Sequence, residues 1–281
     1  ISCLMNPREL LKACQIPSVP IVLREILEAT DNQAMTSAAL EKLVLKDAGL
    51  SFQLLKTVNS SYFALRSKVK VVSQAIVLLG FPTIKNITAG LVLLETFSKM
   101  KKADQDYLKK VWQCSIETAG LVKFIAKKES KKNQENLVLA AMVHHIGHLI
   151  LAQYFGDQYK RLCEGQLFPN CEAERVELGL THASVGAELL QQWKFQEELV
   201  LLVGQHHDRK NFIEDKKQVD YLSLADQMIL LLESNPGLLE LRENELPPDL
   251  KNLLKCTETS WTDLSSSLRE TSSEAGAFKR V

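Results

Sequence analysis

Between Pro82 and Pro169 the chain contains no proline, and its apolar residues recur at helical spacing, so this long middle region is free to form uninterrupted helices. The same period is present on either side. Val19, Val22, Leu23, Ile26 and Leu27 stand at i, i+3, i+4, i+7 and i+8, the stripe of an amphipathic helix. Thr36 and Asp47 are placed to cap the next two helices, and Leu50, Leu54, Leu55 and Val58 continue the apolar face. "VVSQAIVLLGFP" reads as a short helix capped by Ser73 and stopped by Gly80, with Pro82 opening an apolar helix from Thr83 to about Phe97. Further helices are expected over Tyr107–Ala126, Asn136–Tyr154, His182–Trp193, Glu197–His207 and "VDYLSLADQMILLLE". No stretch alternates with a period of two. The fold class is all-α.

The charged segment "SKMKKADQDYLKK" lies between two apolar patterns and reads as a junction between lobes. It divides the chain into an N-terminal helical lobe (1–101), a second helical lobe (102–235) and a C-terminal extension and tail (236–281), with Trp261, Leu264 and Leu268 as the packing face of a short last helix. "KKESKK" at Lys127–Lys132 reads as a solvated helix end and loop.

Composition excludes some functions. Lys+Arg and Asp+Glu both number 34, so the formal net charge is zero, and aromatic residues are 6%. A nucleic-acid-binding surface normally shows a basic excess, so none is expected. No apolar run is expected to reach the roughly 20 residues of a membrane span, since "ITAGLVLLETF" is cut by Glu95. The start lacks the basic and apolar regions of a secretion signal. The six cysteines are scattered without C-x-x-C spacing, as expected of reduced thiols in a cytoplasmic protein. Dimerisation through the apolar helices is left open.

Histidine is distributed differently. All six histidines fall between His144 and His207, and three of them sit in "LAAMVHHIGHLIL". Imidazole is the commonest ligand for zinc, iron or manganese, and a carboxylate completes many such sites. The candidate ligands for a single ion are His144, His182, His206, His207 and Asp226, the last being a carboxylate in an apolar stretch that needs a partner if buried. On one continuous helix His144 and His148 would share a face, although His148 reads more simply as a packing residue.

These segments resemble the HD superfamily of metal-dependent phosphohydrolases. "AAMVHHIGHLIL" is similar to its "HDIGK" segment, and "GLTHASVGAELLQQWKF", "VGQHHD" and "LADQM" to its later histidines and final aspartate. "IPSVPIVLREILEA", "LVLKDAGLSFQLLKTVNSSYFAL" and "VVSQAIVLLGFPTIKNI" are similar to the HDOD domain, the HD-related output domain of bacterial signalling proteins. The resemblance covers roughly residues 12–210 and implies a two-lobed helical bundle with an HD-like second lobe.

By that resemblance, the superfamily's first metal histidine falls on Cys114, its dyad histidine on His144, its dyad aspartate on His145 and the following lysine on His148. The later histidines fall on His182, His206 and His207, and the last aspartate on Asp226. The bridging aspartate carboxylate holds two metals and helps deprotonate the attacking water, which an imidazole cannot do. The resemblance therefore implies a degenerate site. The expected function is a non-enzymatic output or adaptor module of bacterial signal transduction, holding one zinc, iron or manganese ion, with partners among two-component or cyclic-dinucleotide signalling proteins. The alternative is a metal-dependent phosphohydrolase of a nucleotide or cyclic dinucleotide. Asn59, Ser60, Ser61 and Tyr62 are expected to turn the chain into a ligand groove.

Overall fold

The structure, a computed structural model, describes residues 6–14, 16, 18–31, 36–59, 65, 67–98, 105–127, 131–163, 165–207, 216–266 and 268. Among these residues there is no strand; the regular structure is α-helix, with short 3-10 turns at Pro236–Glu240 and Glu243–Glu245, joined by loops and turns. The α-helices are α1 (Pro7–Ala13), α2 (Ile21–Asp31), α3 (Ser37–Leu45), α4 (Ala48–Val58), α5 (Val72–Leu79), α6 (Phe81–Ser98), α7 (Gln105–Ile125) and α8 (Lys131–Val143). There follow α9 (Ile146–Phe155), α10 (Asp157–Leu162), α11 (Cys171–Leu178), α12 (His182–Gln192), α13 (Glu197–Gln205), α14 (Lys216–Ser234) and α15 (Pro248–Cys256).

Contacts divide the chain into two compact units. One comprises Val19–Thr96 with Ser260–Val281, the other Ile1–Ser18 with Phe97–Thr259. This grouping cuts the chain differently from a simple sequential division. In the first unit, α3, α4 and α5 pack on one another around Leu40, Val44, Leu54, Val58 and Ala75. Thr36 caps α3 by accepting from the Ala39 N–H at 3.2 Å, and Asp47 caps α4 by accepting from the Leu50 N–H at 3.0 Å. Trp261, Leu264 and Leu268 are buried as their spacing predicts.

Ser73 is not the cap of α5. The helix begins two residues earlier than that cap would set, at Val72, with Val71 at the N-cap and no side-chain cap bond. The entry to α5 is fixed instead from a distance, because Asn59 holds it. The Asn59 side-chain amide donates to Leu55 O (2.7 Å) and Val69 O (2.8 Å), and its oxygen accepts from the Val69 N–H (2.7 Å). Asn59 is thus an internal staple rather than a groove residue, while Ser60, Ser61 and Tyr62 lie outside the described residues. Asn59→Ala is expected to cost about 1–3 kcal/mol, read from urea unfolding, because it orphans backbone groups of Val69. A change below about 0.5 kcal/mol would contradict the staple.

In the second unit, α7 packs along α8 and α14, α12 lies between α9 and α13, and α1 rests on α12. α15 and the Pro236–Glu240 turn pack on α14. Asn6 caps α1 in a reciprocal box with Glu9, Leu10 and Leu11 are buried, and Arg8 pairs with Glu188 at 3.0 Å.

Two expectations about the histidine-bearing stretch are corrected. First, Asn136–Tyr154 is not one helix: α8 ends at Val143, His144 and His145 form a turn, and α9 restarts at Ile146. A close helix crossing accompanies this break. A Cβ on Gly147 would lie 2.7 Å from the His182 carbonyl carbon and 2.8 Å from its Cα, so only glycine lets α9 approach α12 here. Second, Gln134–Phe155 is long and apolar enough to cross a membrane, counted through the turn, although most of it is buried inside the protein. Its apolarity serves the core.

Candidate metal centre

Four parts of the fold bring the ligand-type side chains together. His144 and His145 come from the α8–α9 turn, His182 is the first residue of α12, His206 and His207 follow α13, and Asp226 lies mid-α14. His144, His145, His206 and Asp226 are 0% exposed, and His182 is 1% exposed. Local signals explain the placement. Thr181 caps α12 through Ser184, which fixes His182 at the helix start. Leu222, Ala225 and Met228 seat α14 in the core and carry Asp226 inward.

The hydrogen bonds assign the imidazole tautomers. His144 Nδ1 donates to Ala141 O at 2.7 Å, His206 Nδ1 to Val203 O at 2.7 Å, and His182 Nδ1 to Glu174 Oε2 at 2.8 Å. Each ring is thereby left to present Nε2. His182 Nε2 and His206 Nε2 face each other at 3.2 Å, and His144 Nε2 faces Asp226 Oδ1 at 3.3 Å. Facing lone pairs repel unless a cation, either a proton or a metal, sits between them. An Nδ1–H anchored on a carbonyl or carboxylate is also the usual outer-shell arrangement of a metal-ligating histidine.

A metal ion fits these residues. His144, His145, His206 and Asp226 offer ligand atoms within 4.8 Å of one another, and two further sets, His145–His148–His182 and Cys171–His182–His207, do likewise. Both ring nitrogens of His145 and Oδ2 of Asp226 are buried without a hydrogen-bond partner among the described residues, although His145 Nε2 comes within 3.1 Å of Asp226 Oδ1. Buried polar atoms are rarely left so. His207 stands at the exposed edge, with Nε2 3.7 Å from Asp226 Oδ2. Cys114 is buried but belongs to none of the three sets. Burial first, and then the charge of Asp226, pushes its thiol well above the usual range, so it is protonated as it stands.

The expected shared face of His144 and His148 is also corrected, since the turn separates them. His148 Nδ1 lies against the Tyr159 hydroxyl and 3.3 Å from Glu174 Oε1, and its ring stacks on Phe168 at 4.1 Å. Burial lowers its pKa to about 3, so it is neutral.

Sequence reasoning missed Glu174, which is 0% exposed. Its carboxylate accepts from the Tyr159 hydroxyl (2.6 Å), the His182 N–H (2.8 Å) and His182 Nδ1 (2.8 Å). Burial alone would raise the Glu174 carboxyl, but His182 outweighs that and holds it well below the usual range. Burial alone would likewise lower His182, and Glu174 outweighs it, raising the pKa to about 10. In the absence of a metal, the proton between His182 and His206 is therefore the cation that relieves their repulsion.

The HDOD domain pattern matches residues 16–209, and the chain belongs to the HDOD family. Two uncharacterised curated relatives are similar: one from Treponema pallidum, 24% identical over 78% of this chain and 43% of its own length, and YuxH of Bacillus subtilis, 26% identical over 45% of this chain and 30% of its own length. The chain thus spans less than half the length of these relatives. Among solved structures it resembles a provisionally named phosphohydrolase from Shewanella amazonensis, with TM-score 0.71, 20% identity, and 95% of this chain and 97% of that one covered. It also resembles an HDOD domain protein of unknown function from Geobacter sulfurreducens (TM-score 0.67, 19% identity, 94% and 96% covered). A third is a provisionally named signal transduction protein from Marinobacter aquaeolei (TM-score 0.70, 21% identity, 96% and 61% covered). At these identities the likeness establishes the fold alone.

Proposed function

We propose that the chain is a non-enzymatic output or adaptor module of bacterial signal transduction, working in the cytoplasm through partner proteins of two-component or cyclic-dinucleotide pathways. Its buried cluster would hold one zinc, iron or manganese ion as a structural or sensory centre. The observation that carries the ion is the buried set of His144, His145, His206 and Asp226, whose ligand atoms lie within 4.8 Å of one another, with His144 and His206 anchored through Nδ1 and His182 Nε2 3.2 Å from His206 Nε2. Three imidazoles and one carboxylate suit zinc, iron or manganese. Bound there, the ion would supply positive charge to a core rich in lone pairs and tie α12, α13 and α14 to the α8–α9 turn.

The absence of catalysis is supported by His145. It brings an imidazole where a hydrolytic dyad needs an anionic bridge, and Cys114 stands where a further histidine would bind. The burial of the cluster also supports the reading, since behind His207 a phosphodiester would have to reach His144, His145, His182, His206 and Asp226, which are 0–1% exposed.

The test is a metal count on protein purified without chelator or histidine tag, beside His144→Ala and His182→Ala. About one ion per chain is expected, lost in both variants. Hydrolysis of bis(p-nitrophenyl) phosphate and of a cyclic dinucleotide, with manganese added, is expected not to exceed the buffer rate. No ion in folded wild type would overturn the centre. Turnover abolished by His144→Ala would overturn the non-enzymatic reading in favour of a metal-dependent phosphohydrolase.

A further inference from the structure

A second feature of the same unit lies beside the histidine network. A pocket of about 500 Å³ is walled by α9, α10 and the start of α7. That is within the usual range for small-molecule sites. Its lining is unlike the rest of the chain. Phe97, Tyr107, Tyr154, Phe155 and Tyr159 are five of its thirteen lining residues, in a chain that is 6% aromatic. Three of the protein's five tyrosines are among them. Gly156, at φ 53°, makes the turn from α9 to α10 with nothing within 4 Å of where a side chain would begin, which keeps the pocket wall open.

The polar part of the lining narrows the ligand. One anion, Asp157, and one cation, Lys160, are opposed in charge, and Gln153 offers a carboxamide with both donors and an acceptor. A phosphorylated ligand would call for a cluster of cations, and this lining provides only one. Aromatic walls favour a flat π-system, and the amide favours a ring edge that both donates and accepts.

The pocket also touches the ion site through its own walls. Tyr159 presents its ring to the pocket and its hydroxyl to Glu174 at 2.6 Å. Tyr107 meets Phe168 edge-on at 6.2 Å, and Phe168 stacks on His148.

We propose that this pocket binds a neutral planar heteroaromatic molecule of nucleobase or nucleoside size. Lumichrome, a neutral three-ring heteroaromatic whose fluorescence falls on stacking against tyrosine, is the probe, with guanosine as competitor. The full chain is titrated as purified and again after chelation, so the result does not depend on the ion. The expected result in both is saturable quenching reversed by guanosine, and reversed less well by guanosine monophosphate, whose phosphate has a single cation to meet. Phe155→Ala removes one stacking wall and is expected to weaken the probe about tenfold or more. Ala152→Trp fills the space and is expected to do the same; circular dichroism checks both variants, and Phe155→Ala decides if Ala152→Trp does not fold. Quenching that does not saturate, that is unchanged in a folded Phe155→Ala, or that guanosine monophosphate reverses better than guanosine would overturn the proposal. The metal count above is a separate measurement, so failure of either reading leaves the other standing.

Discussion

Glu174→Gln is expected to destabilise the protein by about 3–5 kcal/mol, as removal of one partner from a buried charged pair does. Three donors point at this carboxylate, two of them from His182. Glutamine keeps the shape but loses the charge, and its amide NH₂ must meet an N–H or O–H where an acceptor stood. His182 then either keeps its proton unpaired in the core or gives it up and faces His206 lone pair to lone pair at 3.2 Å. Against the 5–15 kcal/mol typical of whole proteins, this is a large loss. The same variant should weaken metal uptake about 10–100-fold, since Glu174 fixes the His182 ring. Urea unfolding and competitive metal titration read the two effects separately. A variant within about 1 kcal/mol of wild type and with unchanged metal affinity would show that Glu174 is neither a charge partner nor an orienting group.

The second large effect is expected at Gly147. In an unconstrained helix, glycine to alanine gains up to about 1 kcal/mol. At this position the new methyl group would enter the backbone of His182, with its carbonyl carbon at 2.7 Å and Cα at 2.8 Å. Backbone cannot swing aside as a flexible side chain can, so α9 and α12 must separate. Gly147→Ala is therefore expected to lose about 3 kcal/mol or more, at the upper end of overpacking costs. The displaced residue is itself a proposed ligand, so metal content should fall together with stability. Thermal unfolding and the metal count test this. A rise in melting temperature would mean that helix propensity prevails and that the crossing is looser than the structure shows.

Much of the fold was legible in the sequence because helix periodicity is a local signal. Thr36 and Asp47 cap the helices their positions predict, and Leu54, Val58 and Trp261 are buried as expected. What sequence reasoning got wrong depended on tertiary contact. The interruption at His144–His145 sits next to a crossing with His182 nearly forty residues away, and Ser73 lies inside α5 rather than at its cap, while Asn59, fourteen positions earlier, fixes Val69 before the helix. Glu174 was hidden by its company. Glu172, Arg175 and Glu177 make α11 look like a solvated helix, and nothing in that pattern says that one carboxylate points inward. The candidate ligands were easier to find, since imidazoles crowded into one window stand out in any composition. Their tautomers, and hence the direction of each lone pair, depend on the carbonyls of Ala141 and Val203 and were not readable at all.

The division into units has a consequence for how the chain is made. Neither unit is a contiguous stretch: Val19–Thr96 is completed by residues from Ser260 onward, and Phe97–Thr259 by Ile1–Ser18. During synthesis from the N-terminus, the unit that opens with α2 cannot seat Trp261, Leu264 and Leu268 until more than two hundred residues have followed that helix. It must wait with that apolar face uncovered, at the loop-closure cost of a long separation. Cutting the gene between α6 and α7 would accordingly leave two fragments, each lacking a piece that the other carries.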